Sequence, residues 1–98
     1  MKKMKEMQKL LRKIPKGNIT SYKILAKKLN VHPRLMGRML SRNDSDAPCY
    51  KVIRHNGKIG GYTSKNGIKD KIRKLKNDGI TVKNGKVIDL KKHFFYFR

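Results

Sequence analysis

Cys49 is the single cysteine among 98 residues, and its setting is cationic, with Arg42 before it and Lys51 and Arg54 after it. A cysteine reacts as the thiolate, and neighbouring cations favour that form. Pro48 places it at a junction between a polar loop over residues 43–48 and an apolar run that starts at Tyr50, outside any periodic core position. The ordinary fate of a lone cysteine is burial as a small hydrophobe, and that reading stands beside the reactive one. One cysteine closes no internal disulfide. The three histidines (His32, His55, His93) are too scattered to suggest a metal site, so no metal is expected.

The elements that must carry this junction are readable from periodicity. Met4, Met7, Leu10, Leu11 and Ile14 recur at helical spacing and are stopped by Pro15 and Gly17. Ser21 suits the N-cap of a second helix, whose stripe is Tyr22, Leu25, Ala26 and Leu29. Asn30 and Val31 make a short turn, and Pro33 fits the first turn of a third helix. Two short helices across a tight turn predict a helix-turn-helix. In the third helix Leu35, Met36, Met39 and Leu40 face one way, and Arg34, Gly37, Arg38 and Ser41 the other. A glycine inside a helix costs about 1 kcal/mol against alanine. Close approach of a nucleic-acid backbone, with the arginines on phosphates, would account for it.

Beyond the loop, residues 50–54 read as a strand, Asn56-Gly57 as a hairpin turn and residues 58–62 as the return strand. Ile68, Ile72 and Leu75 mark a last helix closed by Gly79, and a second hairpin turns at Asn84-Gly85. The tail, Phe94-Phe95-Tyr96-Phe97, is too apolar to hang free and is expected over the first helix. The expected fold is a single α+β domain over residues 1–98, of winged helix-turn-helix type with short hairpins.

Lys and Arg total 27 against 6 Asp and Glu, a net charge of +21. Such an excess repels itself unless a polyanion relieves it. A Lys-rich thermophile composition usually brings Glu with it, and Glu is scarce here. Nucleic acid is therefore the expected partner. No stretch is long and apolar enough to span a bilayer, and the N-terminus lacks the apolar run of a signal peptide, which makes a cytoplasmic protein the default expectation.

From Ile14 to Gly79 the chain resembles the C-terminal domain of the O6-alkylguanine-DNA alkyltransferases (methylated-DNA–protein-cysteine methyltransferases). Matching pieces come in the family's order: Ile14-Pro15-Lys16-Gly17, Ser21-Tyr22, Leu25-Ala26, Pro33-Arg34, Gly37, Asn43, Pro48-Cys49, Val52, Gly60-Gly61-Tyr62, Lys71 and Asp78-Gly79. The resemblance implies a monomer without cofactor that acts once on double-stranded DNA containing alkylated guanine. Cys49 would accept the alkyl group, and Arg34 would fill the gap left by a flipped base. Tyr22 would assist flipping and hydrogen-bond the purine, and Asn43 would hold the turn after the recognition helix. Gly37, Arg38 and Ser41 would meet DNA in the minor groove. Pro48, Val52, Tyr62, Thr63 and Leu40 would shape the pocket, with the main-chain carbonyls of Cys49 and Val52 reading the guanine amine. The family's N-terminal domain would be absent.

Three departures carry weight, of which one is an Asn43–Cys49 loop that is short by the family's standards. The family reads Pro-Cys-His-Arg-Val where this chain has Pro48-Cys49-Tyr50-Lys51-Val52. The family's His relays a proton through water to a Glu, whose place is taken here by Asp78. A phenol with a pKa of about 10 is a poor base near neutrality. The alternatives are a lesion-binding relative that does not remove the alkyl group, although that group lacks the cysteine, and a general winged-helix DNA binder with Cys49 merely buried.

If the net charge serves duplex binding and six or more phosphates are neutralised, affinity should fall about a thousandfold or more between about 50 and 200 mM salt. Sequence preference should be weak, because minor-groove readout is degenerate. A titration of labelled duplexes against salt checks both; a flat salt response would remove the electrostatic argument.

Overall fold

A computed structural model describes residues 2–43, 45–60 and 67–97. Helix α1 (Lys2–Lys13) ends before Pro15 with Arg12 and Lys13 in its last turn, where cations oppose the helix dipole favourably. Its stripe buries Met7, Leu11 and Ile14. Strand β1 (Thr20–Ser21) runs straight into helix α2 (Tyr22–Leu29). Ser21 Oγ accepts from the Ile24 N–H at 3.0 Å, as an N-cap should, and lies 2.9 Å from His55 Nδ1. Asn30 ends α2 in the left-handed region, and its N–H reaches the Ala26 and Lys27 carbonyls. Helix α3 (Pro33–Ser41) has Pro33 in its first turn and is capped by the His32 ring, which accepts from the Arg34 N–H at 3.1 Å. The helix-turn-helix therefore forms as expected, with Leu25, Ala26, Leu29, Met36, Met39 and Leu40 packed over α1. Leu35, expected on that apolar face, is 40% exposed.

The second half departs further. Cys49–Lys51 forms one 3-10 turn, and the strand expected over 50–54 shrinks to β2 (Val52–Ile53). β2 pairs in parallel with β1, Thr20 opposite Val52 and Ser21 opposite Ile53. The turn at Asn56-Gly57 does close, with Arg54 N–H donating to Lys58 O at 2.9 Å. The residues after it do not return along β2. Lys58 bridges to Lys86, and Ile59 N–H donates to Gly85 O at 3.0 Å. That route buries Ile59 in one cluster with Ile19, Ile53, Leu75, Ile80 and Val87, which a return along the short β2 would not secure. Tyr62, Thr63 and Gly61 lie outside the described residues.

Helix α4 (Ile68–Asn77) buries Lys71 and Leu75, while Ile68 is exposed. The hairpin β3 (Val82–Lys83) and β4 (Lys86–Val87) turns at Asn84 and Gly85, both at positive φ (54° and 76°), as a type I′ turn requires. A short helix α5 (Leu90–His93) follows, so α4 is not the last helix. The tail runs extended beside β1: Ile19 bridges Phe94, and Phe95 N–H donates to Ile19 O at 2.7 Å. Alternate rings then fall on opposite sides. Phe95 and Phe97 pack on the α1–α3 core, and Phe94 on the second cluster. Among the described residues no helix is long and apolar enough to cross a membrane.

Two neighbours in β1 should respond oppositely to substitution. Ser21→Ala removes the α2 cap and a partner of His55, and should cost about 1–2 kcal/mol. Thr20 is fully buried and its hydroxyl has no hydrogen-bond partner among the described residues. Thr20→Val keeps the shape, removes that polar atom and should stabilise by up to about 1 kcal/mol. Thermal unfolding checks both, at about 4–8 °C per kcal/mol for a domain of this size.

Candidate active site

Cys49 opens the 3-10 turn that follows the loop leaving α3. Its N–H donates to Ala47 O at 2.8 Å, and its carbonyl accepts from the Val52 N–H. The side chain is half-buried. It leans on the α1–α3 core yet lines an open hollow of about 230 Å³, shared with Asn43, Pro48, Tyr50 and Lys74. Asn43 ties the loop together: its Nδ2 donates to Ala47 O at 3.2 Å, and its Oδ1 accepts from Ser45 Oγ at 2.7 Å and from Gln8 Nε2 at 3.2 Å. The C-cap of α3 is Arg42, so the Asn43 side chain is spent on the loop and not on ending the helix.

The charge around the thiol differs from the sequence expectation. Lys51 does not serve Cys49; its ammonium turns away and donates to Ile14 O at 2.8 Å. Burial lowers its pKa, opposed by Asp78. The cation electrostatically coupled to Cys49 is Lys71, only 1% exposed. It donates to Val52 O at 2.6 Å and Ile59 O at 2.7 Å. Burial pushes its pKa down to about 8, with the charge on Cys49 pulling the other way. Tyr22 joins the group from the start of α2, its ring centroid 5.9 Å from the Lys71 ammonium. Burial raises the Tyr22 pKa, Arg54 opposes this and Cys49 adds to it, so the phenol keeps its proton. Gly60 makes room for that phenol: at φ 75° it bears no side chain, and a Cβ there would come within 3.2 Å of the Tyr22 hydroxyl.

Tyr50 points elsewhere. Its hydroxyl donates to Asp78 Oδ2 at 2.7 Å, and its ring lies 6.0 Å and 5.8 Å from the ammonium groups of Lys51 and Lys74. The longer phenol reaches the shorter carboxylate directly. The Cys49 and Val52 carbonyls each already accept one hydrogen bond, and each keeps a second lone pair for a ligand.

On α3, Arg34, Arg38 and Ser41 are exposed, and Ser41 Oγ donates to Arg38 O at 2.8 Å. Neither arginine forms a salt bridge among the described residues. A Cβ at Gly37 would meet nothing within 4 Å, so the fold itself does not need glycine there. Leu40 belongs to the core beneath the helix and does not line the hollow at Cys49. Sequence reasoning gave Lys71 no role; the available signal was a lysine between Ile68 and Leu75 on an otherwise apolar stripe. Gln8 and Ser45 carried no such signal.

Residues 3–80 match the family model of the 6-O-methylguanine DNA methyltransferase, DNA binding domain. A bifunctional methyltransferase/endonuclease of Picrophilus torridus is 49% identical over 90 residues, covering 88% of this chain and 29% of that protein. The chain spans less than half the length of the curated relatives it matches. The O6-methylguanine-DNA methyltransferase structure from Pyrococcus kodakaraensis is 34% identical with a TM-score of 0.70, over 78% of this chain and 45% of that one. S. pombe Atl1, solved in complex with damaged DNA containing O6-carboxymethylguanine, shares the fold at a TM-score of 0.83 and 17% identity, over 96% and 94% of the two chains. With the family match running from the opening helix through the Gly79 that closes α4, this chain belongs to the 6-O-methylguanine DNA methyltransferase DNA-binding domain family.

Proposed function

We propose that the chain binds duplex DNA through α3, extrudes an O6-alkylguanine and takes its alkyl group onto Cys49. The observation that carries this reading is a half-buried Cys49 that lines an open hollow with Asn43 and Pro48, on the loop that leaves the exposed arginine face of α3. The target carbon is hidden in the base stack, so the nucleotide must leave it, at a cost of a few kcal/mol. Arg34, at the exposed start of α3, fills the vacancy in this reading. The Cys49 thiolate then attacks the alkyl carbon. A C–S bond forms as the C–O bond breaks, the electron pair passes to the guanine oxygen, and the base takes up a proton. Tyr22, held protonated by burial, donates a hydrogen bond to the purine. The thioether is stable, so each molecule reacts once. No cofactor takes part.

In this reading Lys71 supplies the field that the family's histidine relay would otherwise support, and Tyr50 is a strut between the 3-10 turn and the end of α4. Single-turnover transfer of a labelled methyl group from a methylated duplex tests it. Intact mass should show one methyl group replacing a hydrogen on wild type and none on Cys49→Ser. Lys71→Met should slow transfer at saturating DNA about tenfold, a rise of about 1.4 kcal/mol in the barrier. Tyr50→Phe should leave transfer near wild type. A Tyr50→Phe loss as large as that of Lys71→Met would return the proton relay to Tyr50. Tight binding of methylated duplex with Cys49 unlabelled would instead identify a lesion binder without transfer.

Arg34 and Arg38 should separate under substitution. Arg34→Ala should slow methyl transfer at least tenfold with little change in affinity for undamaged duplex. Arg38→Ala should weaken that affinity and leave transfer at saturating DNA near wild type. Equal effects of the two on both measurements would reduce Arg34 to a phosphate contact.

A further inference from the structure

The aromatic tail builds a surface that the Cys49 site does not use. A groove of about 520 Å³ runs between the outer face of α2 and the tail, lined by Lys23, Lys27, Lys28, His55, Tyr96 and Phe97. It shares no residue with the hollow at Cys49 or with the Arg34–Ser41 face of α3. Two of its lining rings, His55 and Tyr96, are joined by a ladder that runs through Phe94. His55 stacks on Phe94 at 5.6 Å with 19° between planes, and Phe94 meets Tyr96 edge-on at 6.0 Å. The ladder ends in solvent, since Tyr96 is 59% exposed. It is nonetheless held in place, because the backbone beneath it is bonded to β1 through Phe95 N–H and Ile19 O. Its rim is cationic throughout: Lys23, Lys27 and Lys28 are exposed and form no salt bridge among the described residues.

An exposed aromatic face with lysines along one side complements a chain of bases and phosphates. Bases stack on rings whatever their sequence, and the ammonium groups follow the phosphates. A regular duplex keeps its bases stacked inward and offers an aromatic ladder nothing to pair with. We propose that this groove binds single-stranded nucleic acid as a second site, stacking a base on Tyr96 and holding the adjoining phosphates with Lys23, Lys27 and Lys28. The proposal does not depend on alkyl transfer at Cys49, since the strand it takes carries no alkylated base.

The probe is a fluorescein-labelled oligothymidylate of about a dozen nucleotides, measured by anisotropy against the intact chain with and without saturating unmodified duplex. Tyr96→Ala replaces an exposed side chain and should weaken oligothymidylate binding fivefold or more while leaving duplex affinity unchanged. An abasic oligomer of equal length should bind wild type and Tyr96→Ala alike. Lys27→Gln with Lys28→Gln should lower the slope of log K against log salt by about 1.4, the share of two single-strand phosphates. The oligomer should still bind when duplex occupies α3. Unchanged oligothymidylate affinity in Tyr96→Ala, or stoichiometric displacement of the oligomer by duplex, overturns the proposal. So does a dimer in sedimentation that Tyr96→Ala dissolves while oligomer affinity holds, which would make the groove a contact between copies.

Discussion

A buried ammonium must find oxygens to replace the water it has lost, and among the described residues Lys71 finds them on two different segments. Val52 O belongs to the strand that leaves the Cys49 turn, and Ile59 O to the chain after the Asn56-Gly57 turn. A single side chain from α4 therefore pins both. Hydrogen bonds from a charged donor are roughly twice as strong as neutral ones, and an unpaired charge in that place would be severely destabilising. Even so paired, the ammonium holds its proton less firmly than in water, with a pKa of about 8. The unfolded chain binds the Lys71 proton more tightly, up to the ordinary value of 10.5. Burial of this cation thus costs stability below about pH 8, and the cost is progressively removed as pH rises from there toward 10.5.

Tyr50 spans from the 3-10 turn to Asp78 at the C-cap of α4. The phenol partly packs against the second cluster, and its hydroxyl satisfies the carboxylate. The loop is similarly over-determined from the other side by Asn43, which receives Gln8 from α1. Cys49 is thereby held between α1, α3 and α4, leaning on the core without being fully buried.

The helical half of the molecule was legible residue by residue. The stripes of α1 and α2, the Ser21 cap, the Asn30 turn and Pro33 at the start of α3 all rest on interactions within a few residues of each other. The hairpin at Asn84-Gly85 was legible for the same reason, since positive φ at both turn positions is a local demand. The junction at Pro48-Cys49 was also local, and the order of matching pieces from Ile14 to Gly79 pointed to the family.

What the tertiary structure decided were pairings across long separations. Strand β2 pairs with β1, 32 positions away in register, and not with its sequence neighbour, because two short segments gain more by sharing the Ile19–Ile53 cluster than by folding back on each other. The cations around Cys49 were read as Arg42, Lys51 and Arg54 from proximity in sequence, yet the backbone turn sends Lys51 to Ile14 O, and the buried Lys71 of α4, distant in sequence, feels the charge on Cys49. Leu35 and Ile68 fit apolar stripes but face solvent, because periodicity locates a face and only the neighbouring elements settle how wide it is. Sequence alone determined which residues could cap, turn and react, since those properties belong to single side chains and their immediate neighbours. Which charge meets which sulfur depended on packing between distant segments, because Coulomb energy follows distance in space and burial, and neither is set until the chain has folded.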